Sequence, residues 1–192
     1  LEVNADGVFR DNEVSALAVR SGSDMLYVGT RRMGLVEWNV HTGQYVIYRN
    51  LEDEKSTVAK DIRCLFYDSH GYLWVGTFDA GIYVLNEAGE VVVHYGEELN
   101  SQCIRDIEEA PDGRIWVATS NGIQVIDRDT KHIDFFSTDS HIGLNLAHHS
   151  VHALFFDWGG TLWVGSYAGG VNCYNPHVNR FENYAPLIDM NV

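Results

Sequence analysis

One phrase is written four times along this chain: "LYVGTRRMGLVEWN" from Leu26, "LWVGTFDAGIYVLN" from Leu73, "IWVATSNGIQVID" from Ile115 and "LWVGSYAGGVNCYN" from Leu162. The copies start 47, 42 and 47 residues apart. A near-constant period of that size marks a repeat architecture, and it has to be read before any single residue is. Each phrase is preceded by a short apolar run, "VSALAVR" (14–20), "IRCLFYD" (62–68), "IRDIEEA" (104–110) or "VHALFFD" (151–157), and followed by "QYVIY", "VVVHY", "HIDFF" or "RFENY". The runs are short, rich in Val, Ile, Leu, Phe, Tyr and Trp, and bounded by Gly, Asp or Asn, which makes them strands.

Tight Gly-containing links such as "SHGY", "PDGR" and "WGGT" join the first and second strands, as hairpins do where a turn needs positive φ. Four antiparallel strands repeated at this period make the blade of a β-propeller, so the expected fold is all-β. Second strands such as Leu73-Trp74-Val75 are apolar on both faces, which suits a sheet packed between neighbouring sheets. Trp74, Trp116 and Trp163 are therefore expected in the core between blades, whereas Trp158, in the turn "DWGG", is expected to be partly exposed.

The start "LEVNADGVFRD" aligns with "IYVLNEAGEVVVH", Asn4 with Asn86 and Gly7 with Gly89, as though the chain entered within the third strand of an earlier blade. The expected division is a tail of that blade at 1–11, blades at 12–50, 51–99 and 100–139, and a last blade with a polar tail at 140–192. A series of this kind needs neighbours or caps at both ends. Further blades of the same polypeptide, a four-bladed ring or a homodimer would each meet that need.

The totals narrow the function. Of 192 residues 45% are hydrophobic and 12% aromatic, enough for a real core. No run reaches the roughly 18 to 20 apolar residues of a membrane-spanning helix, so no membrane contact is expected from this segment. A formal charge of -14 repels a phosphate backbone and argues against a nucleic acid partner. Cys64, Cys103 and Cys173 form no C-x-x-C pair and read as small apolar residues in or beside strands.

The stretch "IRCLFYDSHGYLWVGTFDAGI", with its partial copies "IRDIEEAPDGRIWVATSNGI" and "VHALFFDWGGTLWVGSYAGGV", resembles the two-component regulator propeller repeat. The first repeat departs most, with Tyr27 in place of Trp and no Asp-x-x-Gly turn. The resemblance implies a periplasmic sensor region of a Bacteroides-type hybrid two-component system, signalling to a histidine kinase and often responding to oligosaccharides. No kinase, receiver or DNA-binding motif lies in this chain, so phosphorelay chemistry would belong to a parent polypeptide, and neither catalysis nor a cofactor is expected here.

In a four-stranded meander the links between strands two and three, and from one blade to the next, share a face. The letters that change between repeats lie in those links: Arg31-Arg32-Met33, Phe78-Asp79-Ala80, Ser120-Asn121 and Tyr167-Ala168-Gly169. Scaffold positions have to repeat and recognition positions do not, so Arg31, Arg32, Phe78, Asp79, Asn121 and Tyr167 form the candidate ligand-binding rim. Planar polar groups and aromatic rings suit the hydroxyls and C–H faces of an oligosaccharide. His141, His148, His149 and His152 crowd into twelve residues but lack standard metal spacing and read as a polar loop. Of Glu108 and Glu109, alternate neighbours in a strand, one is expected to point inward and need a partner. The competing readings are a protein-interaction scaffold, marked by an exposed apolar patch, and a glycan-cleaving enzyme, marked by two close carboxylates in a pocket.

Overall fold

The computed structural model describes residues 13–20, 22–48, 61–138, 146–175 and 180–184. Every helix or strand among them is a strand, as the short apolar runs require. The first blade comprises β1 (Val14–Val19), β2 (Met25–Thr30), β3 (Leu35–Asn39) and β4 (Tyr45–Tyr48), and the second β5 (Ile62–Tyr67), β6 (Leu73–Thr77), β7 (Ile82–Leu85) and β8 (Val91–Tyr95). The third comprises β9 (Ile104–Glu109), β10 (Ile115–Thr119), β11 (Gly122–Ile126) and β12 (Ile133–Phe136), and the fourth β13 (Val151–Phe156), β14 (Leu162–Ser166), β15 (Val171–Asn175) and β16 (Arg180–Tyr184). Strands pair in chain order, giving four four-stranded antiparallel sheets of propeller-blade type. The tail proposed at 1–11, the polar tail after Tyr184 and His141 lie outside the described residues.

The chain divides into two compact units, Leu1–Ile107 and Glu108–Val192. In the first, Tyr27 and Leu35 of the first blade share a core with Ile62, Leu73, Val75, Tyr83 and Leu85 of the second. The two sheets approach closely because Gly29 has no side chain: a Cβ there would stand 2.6 Å from Ile62 Cγ2. In the second unit the indole of Trp116 stacks on Phe136, centroids 5.5 Å apart, and meets the edge of Phe156 of the fourth blade at 5.9 Å. Glu109, its side chain 12% exposed, meets Arg128 at 2.9 Å.

A repeated latch ties each hairpin to its own core. Asp68 Oδ1 accepts the backbone N–H groups of His70 and Tyr72, and Oδ2 accepts the Trp74 indole N–H at 2.8 Å. Asp157 does the same for Gly159, Thr161 and the Trp163 indole. That indole N–H, followed by the backbone donors, holds the Asp157 carboxyl below its ordinary value. The third blade has Ala110 at the Asp position, and the buried Trp116 Nε1 meets no acceptor among the described residues. In the first blade Tyr27 replaces the indole, and Glu37 accepts hydrogen bonds from Tyr27 at 2.8 Å and Tyr48 at 2.7 Å. Burial, and next the bond to Glu37, push both phenols well above their ordinary value.

One expectation needs correcting. Trp74 and Trp116 are core residues, each 2% exposed, but Trp163 is 38% exposed. Trp158 stands fully in solvent.

Two tests follow from the latches. Ala110→Asp should supply the missing acceptor and raise stability by about 1 kcal/mol in denaturant unfolding, while a neutral or destabilised variant would deny the Trp116 vacancy its cost. Native Tyr27 and Tyr48 keep protons that unfolded phenols release, so stability should hold below the ordinary phenol value of 10.0 and fall as pH rises above it. Tyr48→Phe should make that fall shallower in urea melts at successive pH values.

Candidate functional site

The links between second and third strands are built alike. A buried threonine ends the second strand and folds back on the link: Thr30, Thr77 and Thr119 Oγ1 donate to the carbonyls of Gly34, Gly81 and Gly122 at 2.8–2.9 Å. The same oxygens accept backbone N–H groups from Met33, Ala80 and Asn121. The fourth blade has Ser166, whose bond to Gly170 O is longer at 3.4 Å. With the link's backbone satisfied locally, its side chains are left free to point outward.

A second feature positions what they meet. β1, β5 and β13 each carry a register shift near their start, between Val14 and Ala16, Ile62 and Cys64, and Val151 and Ala153. Such a bulge leaves one residue out of the ladder and re-aims its side chain; here the residue is Ser15, Arg63 or His152. The first link residue then reaches back to the entry of the first strand: Arg31, Phe78 and Tyr167 N–H donate to the carbonyls of Glu13, Asp61 and Ser150 at 2.9–3.0 Å. Bulge residue and link residue thereby become neighbours. Arg63 lies 4.4 Å over the Phe78 ring, while its guanidinium pairs with Asp61 at 2.9 Å. The His152 ring lies 6.0 Å from Tyr167, and His148 stands 6.0 Å from the same tyrosine and stacks on His149 at 4.3 Å.

All six rim residues, Arg31, Arg32, Phe78, Asp79, Asn121 and Tyr167, are exposed on these links. Phe78 and Tyr167 are the large apolar members, 46% and 65% exposed. Within the first unit Arg31 pairs with Glu13 at 3.3 Å. Asp79 sits on a link held from the other side by His94, whose Nε2 lies 2.8 Å from Ala80 O. Within the second unit one short segment serves two links: His149 O accepts the Gly122 N–H beside Asn121, and Ser150 O accepts the Tyr167 N–H. Asn172, wholly buried, fixes that segment by accepting the Ala147 N–H at 2.9 Å.

The cavity of about 290 Å³ in the second unit is bounded by residues such as Pro111, Arg114, Phe156 and Tyr174, around the hairpin turns rather than the rim. Sequence reasoning missed Arg63, and it set aside His148 and His152 as loop polarity. The second letter of "IRCL" and "VHAL" is polar, as plain alternation allows, so it gave no sign of the bulge that turns it toward the link. No group of three or more His, Cys, Asp or Glu residues suited to a metal exists among the described residues.

Two stretches of the chain, residues 58–79 and 98–121, match the family model of the two component regulator propeller. Those two stretches are two component regulator propeller repeats. No curated protein sequence matches it. Among solved structures it is similar to the extracellular domain of the hybrid two component system BT3049 from B. thetaiotaomicron, with 23% identity and a TM-score of 0.77 over 88% of this chain and 23% of that one. It is also similar to the extracellular domain of the one component system BT4673 from B. thetaiotaomicron, with 21% identity and a TM-score of 0.73 over 90% of this chain and 25% of that one. Virginiamycin B lyase from Staphylococcus aureus shares the fold at 15% identity and a TM-score of 0.73, over 95% of this chain and 58% of that one. At these identities the likeness is one of fold, and the chain spans about a quarter of the first two.

Replacing the bulge partner should loosen the ring it covers. Arg63→Ala is expected to lower the melting temperature, because it leaves the part-buried Asp61 carboxylate without its cation, and to increase Phe78 ring mobility in side-chain NMR relaxation; an unchanged ring would show that the cation does not position it.

Proposed function

We propose that this chain is a non-catalytic sensing segment of a hybrid two-component signalling protein, placed outside the cytoplasm, in the periplasm, and recognising an oligosaccharide on its strand-two to strand-three rim. The observation that carries the reading is the rim's construction. A shared backbone frame presents a different side chain in each blade, and in two blades that side chain is an exposed ring beside a cationic or imidazole partner. A sugar offers what such a pair takes, C–H faces for the ring and hydroxyl oxygens for the N–H donors. The likeness in fold to extracellular domains of a hybrid two component system and of a one component system supports the location and the signalling role. The phosphotransfer itself would be carried out by a histidine kinase outside this chain.

Two carboxylates at the strand entries beside the rim are held in ion pairs, which favours binding over bond cleavage. Asp61 is paired with Arg63 and Glu13 with Arg31, whereas glycosidic cleavage needs two carboxyl groups facing one substrate across roughly 5 to 9.5 Å. Likeness to a lyase at 15% identity adds nothing to an enzymatic reading.

Calorimetric titration against a panel of plant and host oligosaccharides is the direct test. Saturable binding to one glycan class is expected, with Phe78→Ala or Tyr167→Ala weakening it about three- to tenfold for loss of one ring. Binding untouched by both substitutions would move the site off the rim, and no binding by a folded chain would remove the oligosaccharide reading.

A further inference from the structure

The hairpin turns of the second, third and fourth blades are closed by the same backbone bond. Gly71, Gly113 and Gly160 N–H donate to the carbonyls of Asp68, Ala110 and Asp157 at 2.8–3.0 Å, which makes these three acceptors equivalent positions. In two of the blades a carboxylate stands at that position and takes the indole N–H of Trp74 or Trp163. In the third it is replaced by a methyl group, and the buried Trp116 Nε1 meets no acceptor among the described residues. A buried donor left so costs about 1–3 kcal/mol.

The Trp116 ring is held as the Trp74 ring is. Each stacks on the aromatic residue at the same place in the fourth strand, Phe136 or Tyr95, with planes 4° and 9° apart. Phe136 pairs with Ile123 as Tyr95 pairs with Ile82. An indole so placed directs its N–H at position 110, and Ala110 and Trp116 both bound the cavity of about 290 Å³ in the second unit. The donor therefore faces space where its sister blades have a carboxylate.

The remaining walls are of two kinds. Tyr174 and Phe156 lie against the indole, centroids 5.2 and 5.9 Å away, and give the cavity an aromatic lining. Arg114, partly exposed, brings a guanidinium to the same cavity. Asp112 also bounds it, but its carboxylate is engaged by the Arg114 side chain at 2.8–2.9 Å and by the Arg114 backbone N–H at 3.1 Å.

We propose that this cavity binds a small aromatic carboxylate, one ring with a short acid arm, whose oxygen accepts the Trp116 indole N–H where Asp68 and Asp157 do so in their own blades. The ring would lie among Tyr174, Phe156 and the indole, where offset and edge contacts favour an aromatic occupant. The formal charge of -14 disfavours anions at long range, and Arg114 supplies the local cation that offsets it. The volume falls at the lower end of small-molecule sites, roughly 300–1,000 Å³, so a larger acid would not enter whole. The inference does not rest on the rim, which belongs to the strand-two to strand-three links, whereas the cavity belongs to the hairpin turns.

NMR of the indole N–H groups tests it, because the chain has five tryptophans and each gives its own signal. Titration with phenylacetate should move the Trp116 signal downfield and saturate at about millimolar concentration. Phenylacetamide, the same shape without the charge, should bind about tenfold more weakly. Ala110→Asp restores the residue its sister blades carry, so the variant keeps the fold and its own carboxylate should abolish the response to phenylacetate. Three results would overturn the proposal: a Trp116 signal that phenylacetate leaves in place, whether or not other signals move; equal binding of phenylacetamide, a comparison that needs no variant; or a folded Ala110→Asp chain that responds as the unaltered one does.

Discussion

The seat of a β-branched side chain on a residue without one is the contact from which the rest of this structure follows. Ile62 on Gly29 brings two sheets closer than any larger residue would permit. Burying an isoleucine fully is worth roughly 1.5–3 kcal/mol, and the approach also closes the space around Tyr27, Leu35 and Leu73. It anchors the entry of β5, and the bulge that follows at once carries Arg63, the residue that flanks the rim. Recognition chemistry at the surface is thus positioned by packing several residues below it.

The polar groups inside the blades show how differently one requirement is met when the letters change. A buried indole N–H needs an acceptor, and Asp68 and Asp157 serve as one while also closing a turn. Where the first blade has Tyr27, the acceptor moves from the turn to the third strand, and Glu37 takes two phenols at once. Where the third blade has Ala110, the turn is kept by Asp112, which accepts the Arg114 N–H at 3.1 Å, but the indole is not served. Turn closure and indole capping are therefore separable tasks that the Asp of the repeat combines.

Period, strand boundaries and blade order were legible because each rests on local pattern: the four second strands recur with their glycine or alanine and their β-rich run intact. Burial of Trp74 and Trp116 was legible for the same reason. Trp163 has the same neighbours in sequence as Trp74 and a different fate, 38% exposed against 2%, which no letter of its own phrase announces. The rim loops could be named from the letters that vary, yet the partners of those letters could not. Arg63 reaches Phe78 only because a bulge breaks strand alternation, and nothing in "IRCL" announces where the ladder slips.

The backbone bonding of the strand-two to strand-three links has a consequence for descent. Thr77 and the strand-entry carbonyl of Asp61 satisfy the link through main-chain atoms, so the identity of the side chain at Phe78 or its counterparts hardly enters the stability of the blade. A gene lengthened by duplicating such a unit would inherit a frame that tolerates drift at a few outward positions while punishing it elsewhere. Each new copy could then acquire its own chemical preference by very few substitutions without first having to be refolded.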